Sequence, residues 1–348
     1  MYEDKIEFLN SNNTQNVNLI SLVKDAIFIY PDRYLNDQQY IYETLEIDFD
    51  GDGISEETEI RGRYLNEEEL EFTNEKPYVV YGYAAVGNGQ ELNIEKGSRI
   101  HFHNNSGLIV TSGGSIKANG EFSQNQGLEN EIIFEGDRLE PFFENIPGQW
   151  GTIWLLDGSI ENEFSFCTIK NASVGIYTTG GGNNIEYKLD LSNVQIYNSS
   201  NFGILSLSSS IDAENLVINK SGQASFAGTY GGKYRLNHCT ISNFWNSGIR
   251  QFPSALFNNF YIDSENNEYV NDLFDVDISN SIIYGNQNIE FLIENLEETE
   301  LDFKLFNTLI KFNDVNSYFE NDPKYDFSNE LYYHCLLYTS DAADEEDS

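Results

Sequence analysis

Phe166-Cys-Thr-Ile169-Lys-Asn171 returns as Asn193-Val-Gln-Ile196-Tyr-Asn198, then as Asn215-Leu-Val-Ile218-Asn-Lys220 and His238-Cys-Thr-Ile241-Ser-Asn243. Asn280-Ser-Ile-Ile283-Tyr-Gly285 and Asn307-Thr-Leu-Ile310-Lys-Phe312 continue the series. The isoleucine anchors are 27, 22, 23, 42 and 27 residues apart. Self-similarity at such a period is the mark of a repeat architecture, in which each unit buries its apolar face against the next.

Three further columns keep the same register. Five residues before each anchor stand Phe164, Leu191, Ala213, Leu236, Ile278 and Leu305. Two residues after it, asparagine recurs at Asn171, Asn198 and Asn243, and seven or eight after it come Ile176, Ile204, Phe226 and Ile249. A unit of this length with short alternating strands fits one coil of a parallel β-helix, whose coils stack about 4.8 Å apart so that like side chains meet. Asparagines stacked at a bend satisfy one another's amides. Leucine-rich repeats compete at this length, but their L-x-x-L-x-L pattern is absent. The chirality of parallel crossovers predicts a right-handed coil. The fold class is therefore all-β, a right-handed parallel β-helix solenoid.

Less regular alternation extends the solenoid upstream through Leu92-Asn-Ile94, Arg99-Ile-His-Phe102, Leu108 to Val110, Ile132 to Phe134 and Trp150 to Leu155. Its expected span is 77–312, with an excursion near 244–276. Cys167 and Cys239 share a column three coils apart, about 14 Å along the axis. A disulfide needs Cα atoms within about 7 Å, so both are expected as buried free thiols.

Composition bounds the partners. With 19 basic and 57 acidic side chains the net charge is −38. That surface repels nucleic-acid phosphates and anionic lipids, and anionic polysaccharides too unless calcium bridges the charges. No apolar run is long enough to span a bilayer, and Met1-Tyr2-Glu3-Asp4 opens no signal peptide. Taken literally this describes a cytoplasmic protein, but both ends read as artificial. Residues 1–25 alternate as a hairpin, either the last of a truncated sandwich domain or a free hairpin packed on the solenoid. Residues 26–76 read as a strand-rich connector, and 313–334 as the C-terminal end of the solenoid. In the tail 335–348, Cys335-Leu-Leu-Tyr-Thr-Ser-Asp-Ala-Ala-Asp-Glu345 resembles a translated sequencing adapter; a disordered acidic tail is the other reading.

Lys76-Pro-Tyr-Val-Val-Tyr81, Gly97 to Val110, Glu135-Gly-Asp-Arg-Leu-Glu140, Ile146-Pro-Gly-Gln-Trp-Gly-Thr-Ile153 and Ile282-Ile-Tyr-Gly-Asn286 carry a resemblance. Together they are similar to a family of Bacteroidetes surface lipoproteins with pectate-lyase-like β-helices. The resemblance implies an extracellular or outer-membrane location, a lipid anchor, and an Ig-like β-sandwich of which residues 1–25 are the remnant. It implies no activity.

The sharpest chemical motif is Asp48-Phe-Asp50-Gly-Asp52-Gly53-Ile54-Ser-Glu56-Glu-Thr-Glu59. It matches the calcium-loop pattern, with Asp48, Asp50, Asp52, Glu56 and Glu59 as carboxylate ligands and Ile54 lending its carbonyl. Its flanks alternate as strands, so an acidic hairpin turn is an equal reading. His101 and His103 lie two apart on one strand with Arg99, which suits a metal pair, though a solvated outer face is the simpler account. Trp150, Trp154, Trp245 and Tyr197 are candidate sugar platforms, with core or edge packing the simpler role. No carboxylate pair stands out, and the Asp-Asp and Gly-His-Gly signatures expected of a polygalacturonase are absent. Arg250, Lys233 and Arg235 are the only basic candidates for a lyase. The expectation is a noncatalytic surface scaffold that binds glycan or protein, with calcium as a candidate cofactor. The alternative is a divergent polysaccharide lyase or glycoside hydrolase working on the side of the helix.

Overall fold

The computed structural model describes the chain apart from residues 1, 11–12, 22–24, 38, 50–52, 297–300, 335–336 and 340–348; for 2–21 and 337–339 it describes the backbone alone. The chain is all-β and winds as a parallel β-helix with three sheets, here I, II and III. The anchor isoleucines stack on sheet I without a slip. Ile169 pairs with Ile196, and Ile218, Ile241, Ile283 and Ile310 follow in turn. The column runs upstream through Phe134, Ile100 and Tyr78 to Ile27. Sheet III stacks Phe164, Leu191, Ala213, Leu236, Ile278 and Leu305 in the predicted order. Every member of both columns from Ile100 to Ile310 is buried, so the interior is a stack of apolar layers.

Sheet II continues Ile176, Ile204 and Phe226 into Ala255 and Phe291. Ile249, expected in that column, is instead 91% exposed. It falls in the 42-residue step, where the chain leaves the coil before returning at Ala255. That return is clamped by Arg250, whose guanidinium meets the Glu290 carboxylate at 2.5 and 2.8 Å. Glu290 also accepts from the Ser254 N–H and hydroxyl and from the Gln287 N–H, so its buried charge is fully solvated by the protein.

Between sheets III and I the chain turns on one residue of left-handed conformation. The turn residue stands three before each anchor: Phe166 (φ 47°), Asn193 (56°), Asn215 (57°), His238 (54°), Asn280 (51°) and Asn307 (46°). Asparagine tolerates this region because its short amide bonds locally. The amides also bridge coils: Asn215 donates to Asn193 at 2.5 Å and Asn307 to Asn280 at 3.3 Å. At the bend after sheet I, Asn198 donates to Asn171 at 3.2 Å as expected of a stack. Asn243 instead bonds the backbone of Ser221 and Gln223.

Parallel pairing extends beyond 77–312. Ile27–Ile29, part of Glu56–Tyr64, and Glu71–Phe72 pair with the strands of the next coil, so segment 26–76 supplies a first coil as well as its hairpins. Downstream, Leu337–Thr339 pairs with Leu309–Lys311. The remainder of the tail, Cys335 included, lies outside the described residues. Tyr2–Asn10 and Asn13–Ser21 form the antiparallel hairpin that their alternation predicts, in a sheet of their own. Cys167 and Cys239 are buried free thiols, and burial pushes the Cys239 pKa up to about 11.

Candidate functional site

On sheet III the alternation that sends Leu191 and its column inward sends their neighbours outward. The first outward column reads Lys117, Glu163, Asp190, Asp212, Arg235, Asp277 and Lys304, each paired with the next. From Glu163 onward these are the residues six before each anchor, and every one is charged. Two residues further on, Asn119, Ser165, Ser192, Glu214, Asn237 and Ser279 form a second column of amides, hydroxyls and one carboxylate. The two columns line a cleft of about 710 Å³ running from Asn119 to Ser279. Five steps of about 4.8 Å make it ~24 Å long.

Its electrostatics are ordered. Lys117 binds Glu163 at 2.6 Å and holds that carboxyl below its ordinary range. Arg235 binds Asp212 through both of its forked nitrogens, Nε at 2.7 Å, and its own pKa rises for that reason. Asp190 sits between Glu163 and Asp212 with an acidic neighbour on each side. Burial, then Asp212 and Glu163, push its pKa up. Burial and Asp275 do the same to Asp277. Tyr187 flanks the cleft, with Lys233 4.5 Å and Arg235 5.2 Å from its ring centre. A fixed file of carboxylates, amides, hydroxyls and one guanidinium can bond a row of sugar hydroxyls, and neighbouring acids of divergent pKa can also serve acid–base chemistry.

The register made this file legible, since the charged position precedes each sheet III core residue. Its signal is a column rather than a carboxylate pair, and of its members only Arg235 stands among the candidates taken from the sequence. Tyr187 carries no such signal, because it lies in a loop outside the repeat.

The other candidates separate. Asp48 and Glu56 are brought to the neck of a hairpin between Thr44–Ile47 and Glu56–Tyr64, where Asp48 accepts from the Gly53 N–H at 2.9 Å. Asp50 and Asp52 lie outside the described residues. Ile54 is exposed at the tip. Glu59 stands three residues down an extended strand, about 10 Å from Glu56 and on the opposite face, where a helix would have curled it back. His101 and His103 do not converge: the first faces Glu135 at 3.6 Å and the second Asp137 at 2.7 Å. Among the described residues no group of three or more potential ligands gathers. Trp150 is core, stacked 4.3 Å from Phe102. Trp154 packs under Phe49 and beside Tyr177 at the edge of the hairpin. Trp245 and Tyr197 are half-buried. Arg250 is committed to Glu290 and has no access to a substrate. No helix among the described residues is long and apolar enough to cross a membrane.

Compared with family models, with curated proteins and with solved structures, the chain finds no match in any of the three.

Proposed function

We propose that the chain is a cell-surface β-helix scaffold that binds a glycan along the outer face of sheet III, without turning it over. The carrying observation is the cleft of about 710 Å³ whose two outward columns alternate charged with amide and hydroxyl groups. Its acids outnumber its bases, so the favoured ligand is a neutral or amino-sugar glycan rather than a polyanion. Glu163 and Asp212 are engaged by Lys117 and Arg235, which fixes them as acceptors and suits them to binding. Calorimetric titration with a panel of neutral and amino-sugar oligosaccharides tests this. Binding by at least one class supports it, and no heat from any of them at millimolar concentration refutes it.

One observation favours a second reading, a glycoside hydrolase. Asp190 is a carboxyl of raised pKa one coil from Asp212, a carboxyl held by Arg235. That is the pairing of a proton donor with a nucleophile or base. Release of new reducing ends from the same panel would replace the binding account with this one.

Calcium enters the proposal as a stabiliser of the 48–56 hairpin. Asp48 and Glu56 stand at its neck, Asp50 and Asp52 are the further carboxylates the sequence offers, and Glu59 sits too far down the strand to close the site. A melting temperature unmoved by millimolar calcium or by EDTA sinks this part alone.

A further inference from the structure

A second cavity, of about 630 Å³, lies at the other end of the molecule's chemistry. It forms where the hairpin of Arg33–Asn36 and Gln39–Tyr42 stands over the corner between sheets I and II. Tyr30, Tyr42 and Tyr81 give it aromatic walls, Arg33 and Arg61 give it cations and His103 adds an imidazole; Asp32 is its one acid. Tyr81 packs on His103 with ring centres 4.6 Å apart. The Arg61 guanidinium lies 3.6 Å from the centre of the Tyr42 ring and that of Arg33 lies 4.7 Å from Tyr40.

The sequence holds seven arginines. Five are consumed: Arg63 by Glu69, Arg138 by Glu140, Arg235 by Asp212, Arg250 by Glu290, and Arg99 by the carbonyls of Gly97, Glu131 and Leu128. In a chain with 57 acids against 19 bases, an arginine with neither an acid nor a carbonyl partner is the exception. Arg33 and Arg61 have no carboxylate or carbonyl partner among the described residues, and both line this one cavity. Over tyrosine rings, the two guanidiniums are held in place by cation–π contact.

We infer that this cavity binds a small oxyanion carried on a flat ring, the ring against the tyrosines and the anion against the two guanidiniums. The remote acids do not prevent it: at physiological ionic strength the screening length is about 8 Å, so the local pair decides. The site is independent of the sheet III cleft.

The probes are 4-nitrophenyl sulfate and 4-nitrophenyl phosphate, with uncharged 4-nitrobenzyl alcohol and inorganic sulfate as controls, titrated by calorimetry. Both ring oxyanions are expected to bind at least tenfold more tightly than either control, which separates ring and anion contributions. Arg33→Gln/Arg61→Gln is expected to lose at least tenfold, Arg61→Lys to fall between, and Arg138→Gln to change nothing. Failure of both oxyanions to bind the unmodified protein, or equal affinity for 4-nitrobenzyl alcohol, overturns the inference whatever the variants do. So does undiminished binding by a double variant that melts with the unmodified chain. If the double variant unfolds, the probe comparison and Arg61→Lys still decide.

Discussion

Lys188 is a buried ionisable side chain outside the cleft. Its ammonium donates to the carbonyls of Leu156 and Thr179, each at 2.5 Å. Burial pulls its pKa down from 10.5 to about 8, with Asp157 opposing. Between these values the unfolded chain holds more protons than the folded one, so the lysine's contribution to stability rises with pH across that window. Urea denaturation of the unmodified chain and Lys188→Met should therefore show the difference moving toward the unmodified chain from pH 7 to pH 10, by at most about 3 kcal/mol. Parallel pH curves contradict the assignment. Asp190 obeys the mirror rule. A carboxyl whose folded pKa is raised costs stability above that pKa, so Asp190→Asn should be the more stable protein at pH 7, by less than about 1 kcal/mol, and lose its advantage on acidification below about pH 4. Cys167 and Cys239, both held protonated by burial, should resist alkylation in the native protein and react once it is unfolded, as peptide mapping would reveal.

The corner asparagines and the Arg250 clamp set the shape of each coil. Asn215→Gly keeps the left-handed turn and loses only the bond to Asn193, whereas Asn215→Val forces a β-branched residue into that region at about 1–2 kcal/mol. Chemical denaturation of the two variants would separate backbone strain from the amide ladder, and equal costs would contradict the turn assignment. Arg250→Met leaves Glu290 charged and buried, and should cost about 3–5 kcal/mol. The isoleucine and leucine columns were legible because burial forces one residue type at one phase of the coil. The charged column was equally periodic, and its signal lay in a position that packing does not need. Ile249 shows the limit: the register placed it in a column although it falls inside the excursion expected near 244–276, and the return from that excursion is clamped by the distant pair of Arg250 and Glu290, which no local pattern announces. The hairpin at 48–56 illustrates the same limit in another way. Its residues match a calcium loop, but ligand geometry depends on whether the chain leaves the loop as helix or strand, and here it leaves as strand.

Across the whole molecule, the stacked coils line the interior with apolar side chains, and the chain carries 38 net negative charges. Repulsion on that scale is screened by salt, so the melting temperature should rise between 10 mM and 0.5 M sodium chloride, as the screening length falls from about 30 Å to a few ångströms. A fall would mean that local ion pairs outweigh the collective charge. Within that field the three sheets differ: sheet I packs histidines against acids, sheet II carries hairpins on its outer face, and sheet III opens a long polar cleft. The cleft is the feature from which function is argued. Its most direct test is a glycan array read side by side with the unmodified chain and with Asp190→Asn/Arg235→Gln, both shown folded by their melting curves. The account predicts that the unmodified chain retains a set of neutral or amino-sugar glycans and that the double variant loses them. Retention of the same glycans by both proteins, or by neither, would contradict it.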